Sequence, residues 1–145
     1  MRVSRRSRRR RDTVRSVMTE GLVATHPDES LTDLASRMRD RGVGAVAIME
    51  EERLVGIITE RDLMRAIADG LSPRVTPASA YMTRGPLTIG PDDEVHEAAA
   101  QMSANRIRHL PVIEQGRVVG FLSARDILRI QDSCRDLAEL AYEPW

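Results

Sequence analysis

Gly56-Ile57-Ile58-Thr59-Glu60-Arg61-Asp62 returns 64 positions later as Gly120-Phe121-Leu122-Ser123-Ala124-Arg125-Asp126. Each copy reads as the end of an apolar strand running into a helix whose first turn carries a hydroxyl and, three residues on, a carboxylate. Thr59-x-x-Asp62 and Ser123-x-x-Asp126 both fit the capping box, in which these groups satisfy backbone N–H donors that the first helical turn leaves without partners. The same corner sets an oxygen acceptor beside a helix N-terminus, which suits it to hold a polar or anionic ligand. Capping alone accounts for a single corner, so the wider repeat decides how the pair is read.

Outward from the corner, the offset of 64 holds without a gap for some fifty residues. Met18-Thr19 matches Met82-Thr83, Gly21 matches Gly85, Pro27-Asp28 matches Pro91-Asp92, and Met38 matches Met102. Val55-Gly56 matches Val119-Gly120, and Arg65 matches Arg129. The chain is an internal duplication. Neither copy is long enough to bury a good core alone, so the two are expected to pack about a pseudo-twofold axis as one domain.

Each copy reads β-α-β-β-α, an α+β fold. In the first, Leu22 to Thr25 is a short strand, and Leu31, Leu34, Ala35 and Met38 give the apolar face of a helix over Ser30 to Arg41. Ala45 to Met49 and Leu54 to Ile58 form a hairpin around Glu50-Glu51-Glu52, and a second helix covers Glu60 to Asp69. In the second copy the strands are Leu87 to Ile89, His109 to Ile113 and Val118 to Leu122. Its helices are Glu94 to Asn105 and one from Ala124, which can run on toward Pro144 with an outward apolar face. The boundaries are an arm over 1–12, a first copy with connector over 13–76, a second copy over 77–131 and an extension over 132–145.

At 145 residues, 41% hydrophobic and 30% charged, the chain lies within ordinary globular bounds, with no apolar run of membrane-spanning length. One cysteine, Cys134, excludes an internal disulfide and fits a reducing cytoplasm; with no His or Asn placed beside it, it reads as a small helix residue, not a nucleophile. His26 and His96 fall at a turn and on a helix, and no His, Cys or acid spacing suggests a metal. The zero net charge conceals an asymmetry. Seven of the 22 basic residues lie in Met1 to Arg11 without an acid, leaving 15 basic against 22 acidic in the remainder. Every basic residue is arginine, as GC-rich bacterial coding would give. The arm reads as a solvated tail. Its cations can release counterions from nucleic-acid phosphates, but no aromatic side chains interleave them to read bases.

Met-Thr opening each copy, the Gly-apolar-apolar-Thr/Ser-x-Arg-Asp corner closing it, and Arg108-His109-Leu110-Pro111-Val112 between them resemble a pair of CBS (cystathionine-β-synthase) domains forming a Bateman module. The resemblance covers about Thr13 to Gln131. It implies a regulatory, non-catalytic module whose clefts hold an adenosine nucleotide (AMP, ADP or ATP), which forms homodimers and acts on a separate protein effector. Carried over residue by residue, one cleft combines Ile57, Thr59 and Asp62 with Ile89, Arg108 and His109; the other combines Phe121, Ser123 and Asp126 with Thr25 and Ala45. Arg61 and Arg125 are auxiliary cations. Gly44 and Ala45 stand where the second copy has Arg108 and His109, so the Asp62 cleft is expected to be the stronger site. Ala47 stands where the second copy has Pro111. The competing reading is an interaction scaffold whose clefts are empty and whose Thr59, Asp62, Ser123 and Asp126 serve as caps alone.

Overall fold

The computed structural model describes residues 12–129. The Arg-rich arm, Cys134 and the expected continuation of the last helix lie outside them. The element order is α1 (Val14–Val17), β1 (Thr19–Glu20), β2 (Ala24–Thr25), α2 (Leu31–Arg41), β3 (Ala45–Glu50), β4 (Arg53–Thr59) and α3 (Glu60–Ala68). A 3-10 turn at Ala78–Ala80 leads into β5 (Thr83–Arg84), α4 (Val95–Asn105), β6 (His109–Glu114), β7 (Arg117–Ser123) and α5 (Ala124–Leu128). Expected helices and hairpins recur with their ends moved by a residue or so. Ser30 caps α2 by accepting a hydrogen bond from Asp33 N at 3.2 Å, and Gly42 ends it in the left-handed conformation that glycine adopts without steric cost.

The strands form two sheets, ordered β2-β3-β4-β5 and β1-β7-β6. The register repeats with the sequence. Thr19 and Glu20 oppose Phe121 and Gly120, while Thr83 and Arg84 oppose Ile57 and Gly56, so every pair maps onto another by a shift of 64. The β3–β4 and β6–β7 hairpins carry a register shift at equivalent places, Ile48/Met49 and Val112/Ile113. This is the expected pseudo-twofold arrangement.

The packing exchanges what the sequence keeps together. The leading segment of the first copy joins the second: Val14 N donates to Asp93 O at 2.9 Å, Val95 N donates to Asp12 O at 3.0 Å, and Val14 is buried among Ile89, Met102, Leu110 and Ile127. The equivalent segment of the second copy joins the first, with Ala78 N donating to Glu29 O at 2.8 Å and Ala78 buried among Leu31, Leu34, Ile48 and Ile58. Each core therefore takes a piece from the other copy. The glycines of the repeated corner make room for it: a Cβ on residue 120 would stand 2.5 Å from Thr19 O, and one on residue 56 would meet Met82 Sδ at 2.7 Å and Thr83 O at 3.0 Å.

Both leading strands are shorter than expected: Leu22 to Thr25 is reduced to Ala24–Thr25, and its counterpart shrinks further. Ala47 N donates to Val23 O at 3.0 Å in the first copy, which holds β2 alongside β3. The equivalent residue, Pro111, has no N–H, so this rung is missing and the strand expected over Leu87 to Ile89 reduces to a parallel bridge between Ile89 and Val112.

The two glycines make a differential test of the exchange. Gly120→Ala meets a backbone oxygen that cannot step aside, and it is expected to lower stability by about 1–3 kcal/mol in urea denaturation. Gly56→Ala meets chiefly the flexible end of Met82, and should cost less; equal costs would contradict the crossing geometry.

Candidate functional site: a cavity at the second corner

Both acidic corners are built as the capping pattern requires. Asp62 Oδ2 accepts from Thr59 N at 2.9 Å and from Thr59 Oγ1 at 3.2 Å, and Arg65 Nη1 lies 3.3 Å from Oδ1. Asp126 Oδ2 accepts from Ser123 N at 2.9 Å, while Ser123 Oγ accepts from Asp126 N at 3.1 Å. Both carboxylates are buried. The capping role is thus real in both copies, and it engages chiefly one oxygen of each acid. Asp126 Oδ1 meets Thr19 Oγ1 at 3.4 Å and Arg129 Nη1 at 3.8 Å, contacts longer than a strong hydrogen bond. An ionised carboxylate has about four lone-pair sites, so the cap leaves acceptor capacity on Oδ1.

Asp126 opens onto a cavity of about 1160 Å³. Of the residues expected at a ligand site, Ala45, Arg108, His109, Phe121, Ser123, Arg125 and Asp126 line it together. Ile57, Thr59, Arg61 and Asp62 stand at the β4–α3 corner outside that lining, and Thr25 on β2 and Ile89 lie outside it too. Ile89 is core, and Thr25 faces Glu29, whose carboxyl lies below its usual range because hydrogen bonds from Arg37 and Thr25 outweigh the upward push of burial.

Arg108 and His109 face the first copy's corner, where the Glu60 charge acts on both and the Arg61 charge on Arg108, and they also line the cavity with Asp126. The cause is the hairpin: His109 pairs with Ser123 in the β6–β7 register, and Ala124 N donates to Arg108 O at 2.8 Å, which holds both residues to their own copy's corner. The charged pair expected at the Asp62 cleft therefore also lines the cavity beside Asp126.

Residues the sequence reading did not assign complete the wall. Thr19 and Glu20 arrive on β1 from the exchanged segment, Arg39 and Arg41 from the end of α2, Glu60 from the start of α3 and Arg129 from beyond α5. The matching of Met18-Thr19 with Met82-Thr83 marked the first of these as structurally repeated, yet gave no sign that the segment crosses to the other copy.

His109 reaches across the pseudo-twofold axis. A Cβ on residue 44 would stand 3.2 Å from His109 Nε2 and 3.4 Å from Glu60 Cδ, so only glycine fits there without displacing the imidazole. Burial holds the His109 pKa below the ordinary 6.5, and the Arg108 and Arg125 charges add to this effect; Glu60 and Asp126 oppose it without prevailing. The Arg108 guanidinium is likewise pushed down, first by desolvation and then by Arg61.

A second cluster lies elsewhere. Glu94, His96 and Glu97 bring their ligating atoms within 4.8 Å of one another at the start of α4, a grouping that the sequence spacing did not single out. His96 Nδ1 lies 3.0 Å from Glu94 Oε2, and none of the three lines the cavity. Among the described residues, no helix is long and apolar enough to cross a membrane.

Known proteins resemble this chain over most of its length. MK0525 of Methanopyrus kandleri is 33% identical over 122 residues, covering 82% of this chain and 62% of its own, so the chain spans less than two thirds of that relative. The CBS domain pair of protein MJ0100, in complex with 5′-methylthioadenosine and S-adenosyl-L-methionine, superposes with a TM-score of 0.78 at 27% identity, covering 86% of this chain and 98% of that one. CBS domain protein PAE2072 from Pyrobaculum aerophilum, complexed with AMP, superposes with a TM-score of 0.79 at 27% identity, covering 88% and 98%. The family model for the CBS domain matches twice, over residues 14–69 and 78–133, and with both copies accounted for in this way the chain belongs to the CBS-domain family as a tandem pair.

Proposed function

We propose that this chain is a non-catalytic regulatory module that binds an adenosine nucleotide, AMP, ADP or ATP, in the cavity beside Asp126 and reports occupancy to a separate protein. The observation that carries the reading is the division of labour on Asp126: Oδ2 holds the helix cap, and Oδ1 has capacity to spare at a wall of the cavity. A carboxylate oxygen can accept the hydroxyls of a ribose cis-diol, and hydrogen bonds to a charged group contribute roughly 1.5–3 kcal/mol each. Arg108, Arg125 and Arg129 on the same wall supply positive charge for phosphate, and Phe121, Ala45, Val43 and Met38 supply apolar surface for a base. The volume is ample for a nucleotide, since small-molecule sites usually enclose about 300–1,000 Å³. AMP in PAE2072 and adenosine compounds in MJ0100 support the same ligand class here.

A second reading has its own observation. Asp62 and Asp126 both cap their helices, so an interaction scaffold with no ligand would retain the same corners. Ligand-induced stabilisation separates the two. AMP at a hundred times its dissociation constant is expected to add about 2.7 kcal/mol. Asp126→Asn keeps an oxygen for the cap but loses the charge, and should weaken AMP by about tenfold; Asp62→Asn should leave AMP affinity unchanged. No shift with any adenosine compound would favour the scaffold, and equal losses in the two variants would contradict the assignment to the Asp126 cavity.

The half-buried imidazole also gives the ligand-free protein a pH signature. Because the folded-state pKa of His109 lies below the ordinary 6.5, the folded state binds fewer protons than the unfolded one between the two values. The stability contributed by neutral His109 is complete above 6.5 and is lost as pH falls through the folded-state pKa. The stability of the wild type relative to His109→Gln should therefore decline as pH is lowered from neutral through that window, as measured by urea titrations; a constant difference would contradict the burial of a neutral ring.

A further inference from the structure

Among the described residues lining the cavity, His109 alone carries a side chain whose charge ordinarily changes near neutral pH. Its surroundings pull toward both states. Glu60 faces it from the start of α3 and Asp126 from α5, both favouring the imidazolium; Arg125 on α5 and Arg108 beside it on the chain favour the neutral ring. Gly44, on the strand-side approach across the axis, contributes contact without charge. Burial decides the outcome for the empty cavity.

A bound anion changes that balance. Arg108, Arg125 and His109 line the same cavity as Asp126, and the charges of Asp126, Arg108 and Arg125 all act on the His109 ring, so the 5′ substituent of a ribose held at Asp126 would share the cavity with these groups. A dianionic phosphate there adds negative charge beside the ring, and the imidazole gains a proton from solvent while the phosphate keeps its charge. A neutral 5′ substituent adds nothing, and a sulfonium opposes protonation.

Resting on the nucleotide-binding reading above, we infer that His109 is a specificity-determining residue: it takes up a proton as the ligand binds, and so selects adenosine compounds bearing a 5′-phosphate over neutral or sulfonium-bearing ones. The selection does not require a change of fold. It resides in one imidazole wedged between the acidic corner of its own copy and the Glu60 end of the other.

Calorimetric titration of the full chain with AMP, adenosine and S-adenosylmethionine, in buffers of different ionisation heats between about pH 8 and about pH 7, tests this directly; the range stays above the second phosphate pKa of about 6. AMP should bind with net proton uptake and tighten as pH falls, and adenosine and S-adenosylmethionine should bind more weakly, without uptake. His109→Gln should remove the uptake and weaken AMP by about tenfold, leaving adenosine unchanged. If that variant folds poorly, the wild type still answers: the sequence has three histidines, and the ring NMR titration of His109 should move to higher pH when AMP saturates the protein. AMP binding without proton uptake, or S-adenosylmethionine binding as tightly as AMP, would overturn the inference while leaving the nucleotide site standing. Failure of every adenosine compound to bind would overturn both.

Discussion

The carbonyl oxygen of Thr19 lies 2.5 Å from where a Cβ on residue 120 would stand, and the rest of the molecule depends on that close approach. It lets β1 pair with β7, just as the equivalent approach at Gly56 lets β5 pair with β4. Each copy thus finishes its sheet and its core with the leading segment of the other. Separating the copies would strip a strand from each sheet and uncover Val14 and Ala78, which are fully buried. A duplication whose halves are too small to bury a core alone becomes one cooperative domain by exchanging segments. The exchange also reaches the site, since it carries Thr19 to Asp126.

The site departs from the symmetry for a steric reason. Residues 44 and 108 are equivalent in the repeat, as are 45 and 109, yet the first copy has glycine and alanine where the second has arginine and histidine. The imidazole of His109 already fills the space beside residue 44, so a long side chain there would have to displace it. Duplicated corners share the same cap and the arginine pairs Arg61/Arg65 and Arg125/Arg129, but differ in electrostatic setting because Arg108 and His109 have no charged counterpart in the first copy.

Much of this was legible in the chain itself, and the reasons differ by feature. Local signals fixed the elements: the apolar face through Leu31, Leu34 and Met38 is a helix, and Thr59-x-x-Asp62 is a cap because its groups lie within a single turn. Six of the seven candidate residues that meet in one cavity do so because the second copy's corner, hairpin and following helix are contiguous; Ala45 comes from β3 of the first copy. The errors lie where distance in sequence misleads. Arg108 and His109 lie beside their hairpin partner Ser123 as well as against Glu60 of the opposing copy, a matter of strand register that residue types do not encode. Arg39, Arg41 and Glu60 reach the wall by tertiary packing alone. The strand before Ile89 shortens because Pro111 cannot donate, a consequence that becomes visible only once Val23 and Ala47 show which bond is missing.

A crystal structure of the protein grown with AMP addresses the central assignment most directly, because capping and recognition use different oxygens of one side chain. The account predicts the ribose hydroxyls on Asp126 Oδ1, with the Ser123 cap on Oδ2 kept in place and the phosphate toward Arg108 and His109. A nucleotide seated at the Asp62 corner instead, or an empty cavity beside Asp126 at saturating AMP, would contradict it.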